Sequence, residues 1–194
     1  AMFYMWKDHS ANEEAALVNA VLSNFENEDY TRFQGKYSSE WWWAKILHAR
    51  RVAPKMCAQA VTWVEHSDWI PSLLTGRTAP TRLFRNACGA GHKALWHSDF
   101  GGLPSQRALE MIDPYLAQIA ATYGVPQIAG SVVGKLTPEW ARRLGLGEDV
   151  VVGGGSFDAH AGAVGAGVKP KTLVKVVGTS TVDLLVEERD VLRG

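Results

Sequence analysis

The chain has 194 residues, with 20 Lys plus Arg against 20 Asp plus Glu, so its formal net charge is zero. That balance excludes the basic surplus on which nucleic-acid binders depend, and 46% hydrophobic against 21% charged residues excludes a disordered chain. Two cysteines, Cys57 and Cys88, cannot build a disulfide framework and fit a reducing cytoplasm, while no apolar run approaches the ~20 residues that cross a bilayer and no signal peptide is visible. In chain order, Met2 to Trp6 reads as a buried strand. Ser10, with Glu13 three residues on, forms a capping box for a helix to about Asn24. The polar stretch from Asn24 to Lys36 is a loop, and Ser38 or Ser39 caps an apolar helix through Trp43, Ile46 and Leu47 that ends near Pro54. Val61 to Val64 reads as a short strand, and Asp68 to Leu74 as a helix closed by Gly76. Arg77 to Pro104 is Gly-rich and irregular; Ser105 to Ile112 is helical, with another helix after Pro114.

The last third is the most regular. Thr137-Pro138-Glu139 opens a helix that Gly145 ends, by a cap followed by Pro at the first helical position. A strand at Val150 to Val152 runs into Gly153-Gly154-Gly155-Ser156-Phe157-Asp158, and Ala159 to Gly167 is a helix of small residues. Leu173 to Val177 and Val182 to Val186 are β runs joined by Gly178-Thr179-Ser180-Thr181, a hairpin signal. The pattern is mixed α/β, without an internal repeat. Opening at Ala1 inside an apolar stretch and closing at Gly194 just after a strand-like run, the chain reads as a segment of a longer protein.

Chemistry concentrates at a few points. A strand, a Gly-rich turn and Asp158 before a small-residue helix place a carboxylate at the carboxyl end of a strand, where α/β proteins bind ligands. The same spacing fits Asp158 equally well as an ordinary helix cap. Backbone amides and hydroxyls at Gly178, Thr179 and Ser180 could form a phosphate-binding concavity, and as readily an ordinary turn. Lys93, between His92 and Trp96, is either a ligand-contacting cation or a surface lysine. Eight tryptophans imply large aromatic packing or flat faces on which a sugar stacks. Of Trp41-Trp42-Trp43, at least one ring must be partly exposed or cover a ligand, with the core as the default place for the other two. His92 and His97 have no metal-ligand spacing, so no metal site is expected, and no Cys-His constellation is legible.

Several segments in order resemble the FGGY carbohydrate kinases, in particular their ribulokinase branch. They are Trp6-Lys7-Asp8-His9, Ser38-Ser39-Glu40-Trp41, Asp68-Trp69-Ile70, Gly91-His92-Lys93-Ala94-Leu95-Trp96-His97, Phe157-Asp158-Ala159-His160 and Gly178-Thr179-Ser180-Thr181. The resemblance implies an incomplete actin-like, ribonuclease-H-like ATPase fold. Residues 1–170 would be the later part of the sugar-binding first domain, and 171–194 the first hairpin of the nucleotide-binding second domain. It implies ATP-dependent phosphorylation of a ketopentose, L-ribulose to L-ribulose 5-phosphate, with ATP and Mg2+ as cofactors. Asp158 then matches the catalytic base and a substrate contact, Lys93 a substrate contact, and Gly178, Thr179 and Ser180 the phosphate turn. The partners implied are a small sugar and ATP, with neither nucleic acid nor membrane; a homodimer is compatible. The family's amino-terminal phosphate loop and most of its second domain are absent, so the segment alone is expected to be inactive. Missing partner strands would leave exposed edges or prompt self-association. The alternatives are a catalytically dead sugar-binding or interaction module on the same fold, and a family kinase for another pentulose or pentitol such as xylulose or ribitol.

Overall fold

The protein is represented by a computed structural model that describes residues 3–178 and 181–187. Helix α1 (Asn12–Leu22) buries Ala15, Val18 and Leu22, spaced three and four apart on one face. Helix α2 (Trp42–Val52) buries Trp42, Trp43, Ala44, Ile46, Leu47 and Ala49, which makes it the central helix of the core, while Arg50 and Arg51 in its last turn reach the surface. A short α3 (Pro54–Cys57) follows, and α4 (His66–Leu74) and α5 (Ala87–Ala94) lead to α6 (Gln106–Ile112) and α7 (Pro114–Ala120). Helices α1, α2, α5, α6 and α7 enclose one apolar core, with Trp43 wholly buried at its centre.

Beyond this helical body lie two small sheets. Strands β1 (Val132–Lys135) and β2 (Val151–Gly153) pair antiparallel on either side of α8 (Pro138–Leu144). Helix α9 (Asp158–Gly165) follows β2 and packs on β3 (Thr172–Val177), which pairs antiparallel with β4 (Thr181–Val186). A Cβ on Gly162 would stand 3.4 Å from Val176, so the small residue permits the close approach of α9 to β3.

Several sequence expectations hold. Ser105 and Thr137 cap α6 and α8 by accepting from the backbone N–H groups of Ala108 and Trp140, and Gly145 closes α8 at φ +67°. The hairpin is present, although Thr179 and Ser180 lie outside the described residues. Others are corrected. The part of Met2–Trp6 that is described is not a buried strand: Phe3, Met5 and Trp6 are exposed. Val61 to Val64 forms no strand either. The serines expected to cap α1 and α2 turn instead to nearer carboxylates, Ser10 Oγ donating to Asp8 and Ser38 Oγ to Glu40, so Ala11 and Trp41 stand at the cap positions without a side-chain bond. The segment from Arg77 to Pro104 contains α5, whose glycines are tolerated because both helix ends are anchored from outside. Strand β1 had no counterpart in the sequence reading.

Candidate active site

A cavity opens where α5, α9 and the β3–β4 hairpin meet. Its walls include Lys93 and His92 from α5, Phe157, Asp158 and His160 from the start of α9, and Val176, Gly178 and Val182 from the hairpin. Trp6, Glu40 and Trp41 complete it from the amino-terminal third. Three of the residues singled out from the sequence, Lys93, Asp158 and Gly178, therefore share one cavity. The other two, Thr179 and Ser180, lie outside the described residues.

Helix α5 is held at both ends. At its start, Asn86 Oδ1 accepts from the Gly89 N–H at 2.7 Å. Asn86 is itself fixed by fully buried Asp68, whose Oδ1 accepts from the Asn86 backbone N–H at 3.0 Å. At its finish, Tyr37 donates its hydroxyl to the Lys93 carbonyl at 2.5 Å, and the Trp43 indole N–H donates to the Ala94 carbonyl at 3.0 Å. Leu95 then adopts the left-handed conformation at φ 59° and ends the helix. Core groups thus fix the backbone that carries Lys93. The ammonium lies 2.9 Å from Glu65 Oε2 and 4.9 Å from the centre of the Phe157 ring. Lys93 is therefore not a free surface lysine.

Asp158 is the first residue of α9 rather than its cap. Phe157 occupies the cap position in extended conformation, and among the described residues the Asp158 carboxylate accepts from the next N–H, that of Ala159, at 2.8 Å. It remains exposed on the cavity wall, at the amino terminus of α9. The turn leading to it runs tightly against α4: a Cβ on Gly155 would fall 2.7 Å from the Ser67 carbonyl oxygen.

Behind this wall, Cys88 Sγ lies 3.4 Å from Ser156 Oγ. A hydrogen bond from His160, above all, holds the thiol below its ordinary range, and the same bond raises the His160 imidazole. His92 is pushed down to about 4, chiefly by burial and then by His160 and Lys93, so it is a neutral imidazole near pH 7. Of the tryptophan run, Trp42 and Trp43 are in the core while Trp41 faces the cavity beside His92, its ring centre 4.8 Å away. The sequence reading did not single out Glu65, and gave no role to Glu40 or to a Cys88–His160 pair, although Glu40 and His160 stand in the matching motifs. Glu65, just before α4, and Lys93, in α5, are 28 residues apart, so no local pattern links them.

The chain is 43% identical over 190 residues to the ribulokinase of Vibrio parahaemolyticus, a match covering 97% of this chain and 34% of the relative. It is 38% identical over 192 residues to the ribulokinase of Shouchella clausii, covering 96% of this chain and 33% of the relative. The chain thus spans about a third of the length of these curated relatives. No family model matches it. A solved structure described as a xyloylose kinase from Brucella ovis superposes with a TM-score of 0.65 at 21% identity, over 92% of this chain and 34% of that one. The xylulose kinase of Bifidobacterium adolescentis gives the same TM-score at 18% identity, over 92% of this chain and 41% of its own. These matches bear out the resemblance carried by the motifs and the expected partial fold: over about a third of their length the ribulokinases are similar to this chain in sequence, and its fold matches the corresponding part of the xylulose kinase structures.

Proposed function

We propose that the chain supplies the sugar-binding side of an ATP-dependent kinase acting on a ketopentose, L-ribulose in the first instance, with the product L-ribulose 5-phosphate. The observation that carries this reading is the meeting of Asp158, Lys93 and Gly178 in one cavity with aromatic walls at Trp6, Trp41 and Phe157. Aromatic faces suit the C–H surfaces of a sugar, while an ammonium and carboxylates suit its hydroxyls. The names of the curated relatives point to the same substrate.

In this reading Lys93 donates to a sugar hydroxyl, and the rings of Trp41 and Phe157 orient the carbon chain. Asp158, exposed and not committed to capping, accepts the proton of the attacking hydroxyl as its oxygen bonds to phosphorus. The Gly178 backbone stands where the phosphate turn would begin, and the boundary between the sugar-binding and nucleotide-binding parts falls near residue 170. MgATP would supply the phosphoryl group, ADP leaving as the bond between the γ-phosphorus and the bridging oxygen breaks, and the charge that stabilises the transfer. The described residues fit only a small part of it. Gly178 lines the cavity from that turn, Thr179 and Ser180 lying outside the described residues, and among the described residues no group of three His, Cys, Asp or Glu could hold a metal ion. No step is therefore assigned to the metal.

Calorimetric titration of the chain with L-ribulose, then with MgATP, tests this. Saturable L-ribulose binding that Asp158→Asn weakens is the expected result; failure of the chain to bind any ketopentose would overturn it. A second reading, a sugar-binding module without phosphoryl transfer, draws on the same cavity, whose Trp6, Trp41, Phe157 and Lys93 would seat a sugar without a nucleotide. Sugar binding with no ATP consumption, even when the chain is supplemented with the remainder of a relative's second domain, would select it.

A further inference from the structure

An ammonium that projects unpaired into a cavity attracts anions before it selects a neutral sugar. Lys93 is not unpaired. Its Nζ lies 2.9 Å from Glu65 Oε2, with the two side chains only 20% and 17% exposed. Glu65 is not part of the cavity wall and acts on it only through Lys93. It precedes α4 in extended conformation, where its carbonyl oxygen accepts from the Asp68 and Trp69 N–H groups, but its side chain makes no capping bond. The carboxylate thus has no role in closing the helix end and is directed at Lys93 instead.

We infer that Glu65 sets the charge preference of the cavity: by neutralising Lys93 it leaves the ammonium as a hydrogen-bond donor for an uncharged polyol and turns away anionic sugars such as pentonates. This rests on the ketopentose reading above. The ammonium has three N–H donors, of which the carboxylate takes one, so two remain for hydroxyl groups. The ring of Phe157 supports the remaining side of the charge without adding a counter-ion. Glu40, Asp158 and His160 also border the cavity, but they are unchanged when Glu65 alone is replaced, so a comparison of variants isolates its charge. Glu65 is a positioning residue in this account.

The test is calorimetric titration of the chain and its variants with two probes of equal length, L-ribulose and L-ribonate. Glu65→Gln keeps an oxygen for Lys93 to donate to and removes only the charge. It is expected to weaken L-ribulose binding and to strengthen L-ribonate binding, each by about tenfold. Glu65→Asp should restore the preference for the neutral sugar. Lys93→Met, which leaves the carboxylate uncompensated, should move the ribonate-to-ribulose ratio the opposite way, so the inference remains testable if Glu65→Gln does not fold. A merely structural Glu65 would weaken both probes together, and that result, or no change in either, overturns the inference. Wild-type binding of L-ribulose without the opposed responses overturns the inference alone. A gain of ribonate binding in Glu65→Gln when the wild type binds no L-ribulose overturns the ketopentose reading and retains the charge-setting role. Absence of all binding overturns both.

Discussion

Two cysteines of one chain differ in chemistry because of what surrounds each sulfur. Cys57 is buried and burial pushes its thiol up, whereas Cys88 near the start of α5 receives a hydrogen bond from His160 that holds its thiol down. Since the thiolate is the nucleophile, iodoacetamide at pH 7 should alkylate Cys88 at least tenfold faster than Cys57, read by mass spectrometry of the two peptides. His160→Gln should remove most of that difference; equal rates in the wild type would contradict the account. Neither cysteine's behaviour is legible in the sequence, because His160 comes from α9 and meets Cys88 only in the folded chain. The tryptophan run was legible to a greater degree. Three successive residues entering a helix cannot all face one way, and the structure puts Trp42 and Trp43 in the core and Trp41, the extended residue at the cap position, at the cavity.

Helix α5 and the turn before α9 carry the site, and each depends on a contact from outside itself. Asn86→Ala removes the α5 cap and the side-chain donor to the buried Asp68 carboxylate while keeping the backbone N–H, so it should cost about 2–4 kcal/mol in urea unfolding. Asn86→Asp keeps the cap but sets a second carboxylate against Asp68, and should be destabilising near pH 7 as well. Gly155→Ala places a methyl against the Ser67 backbone carbonyl, which cannot rotate aside as a side chain could. A loss of about 1–3 kcal/mol and weaker sugar binding are expected, because the turn that aims Asp158 must move away from α4. Gly153→Ala meets nothing within 4 Å and serves as the control. Caps such as Ser105 and Thr137 could be read in advance, since their partners are three residues away. Ser10 and Ser38 could not, since each had a carboxylate two residues away competing for the same hydroxyl.

At the scale of the molecule, a buried acid and two small sheets shape how the chain behaves in solution. Burial raises the Asp68 carboxyl to about 6 from an ordinary 3.8, outweighing the Asn86 bonds and Arg85 that pull it down. The folded chain therefore holds this proton more tightly than the unfolded one, and the contribution of Asp68 to stability falls as pH rises from about 4 to about 6 and is level above. The melting temperature of the wild type relative to Asp68→Asn should decline across that window; a constant difference would refute it. The β3–β4 hairpin buries Val174 on its inner face, while Leu173, Val177 and Leu185 stand exposed on the outer face around the Lys175–Asp183 pair. With a two-stranded sheet offering unpaired edges, the chain alone should self-associate in sedimentation velocity, and Leu173→Lys should reduce it. The sequence by itself determined the mixed architecture, the helix caps with nearby partners, the hairpin and the candidacy of Lys93, Asp158 and Gly178, because periodicity, turn chemistry and motif order are short-range properties of the chain. Only the tertiary structure decided that these three share a cavity, that Glu65 neutralises Lys93, that Cys88 meets His160 and that Asp68 anchors α5, because each depends on packing between residues far apart in sequence.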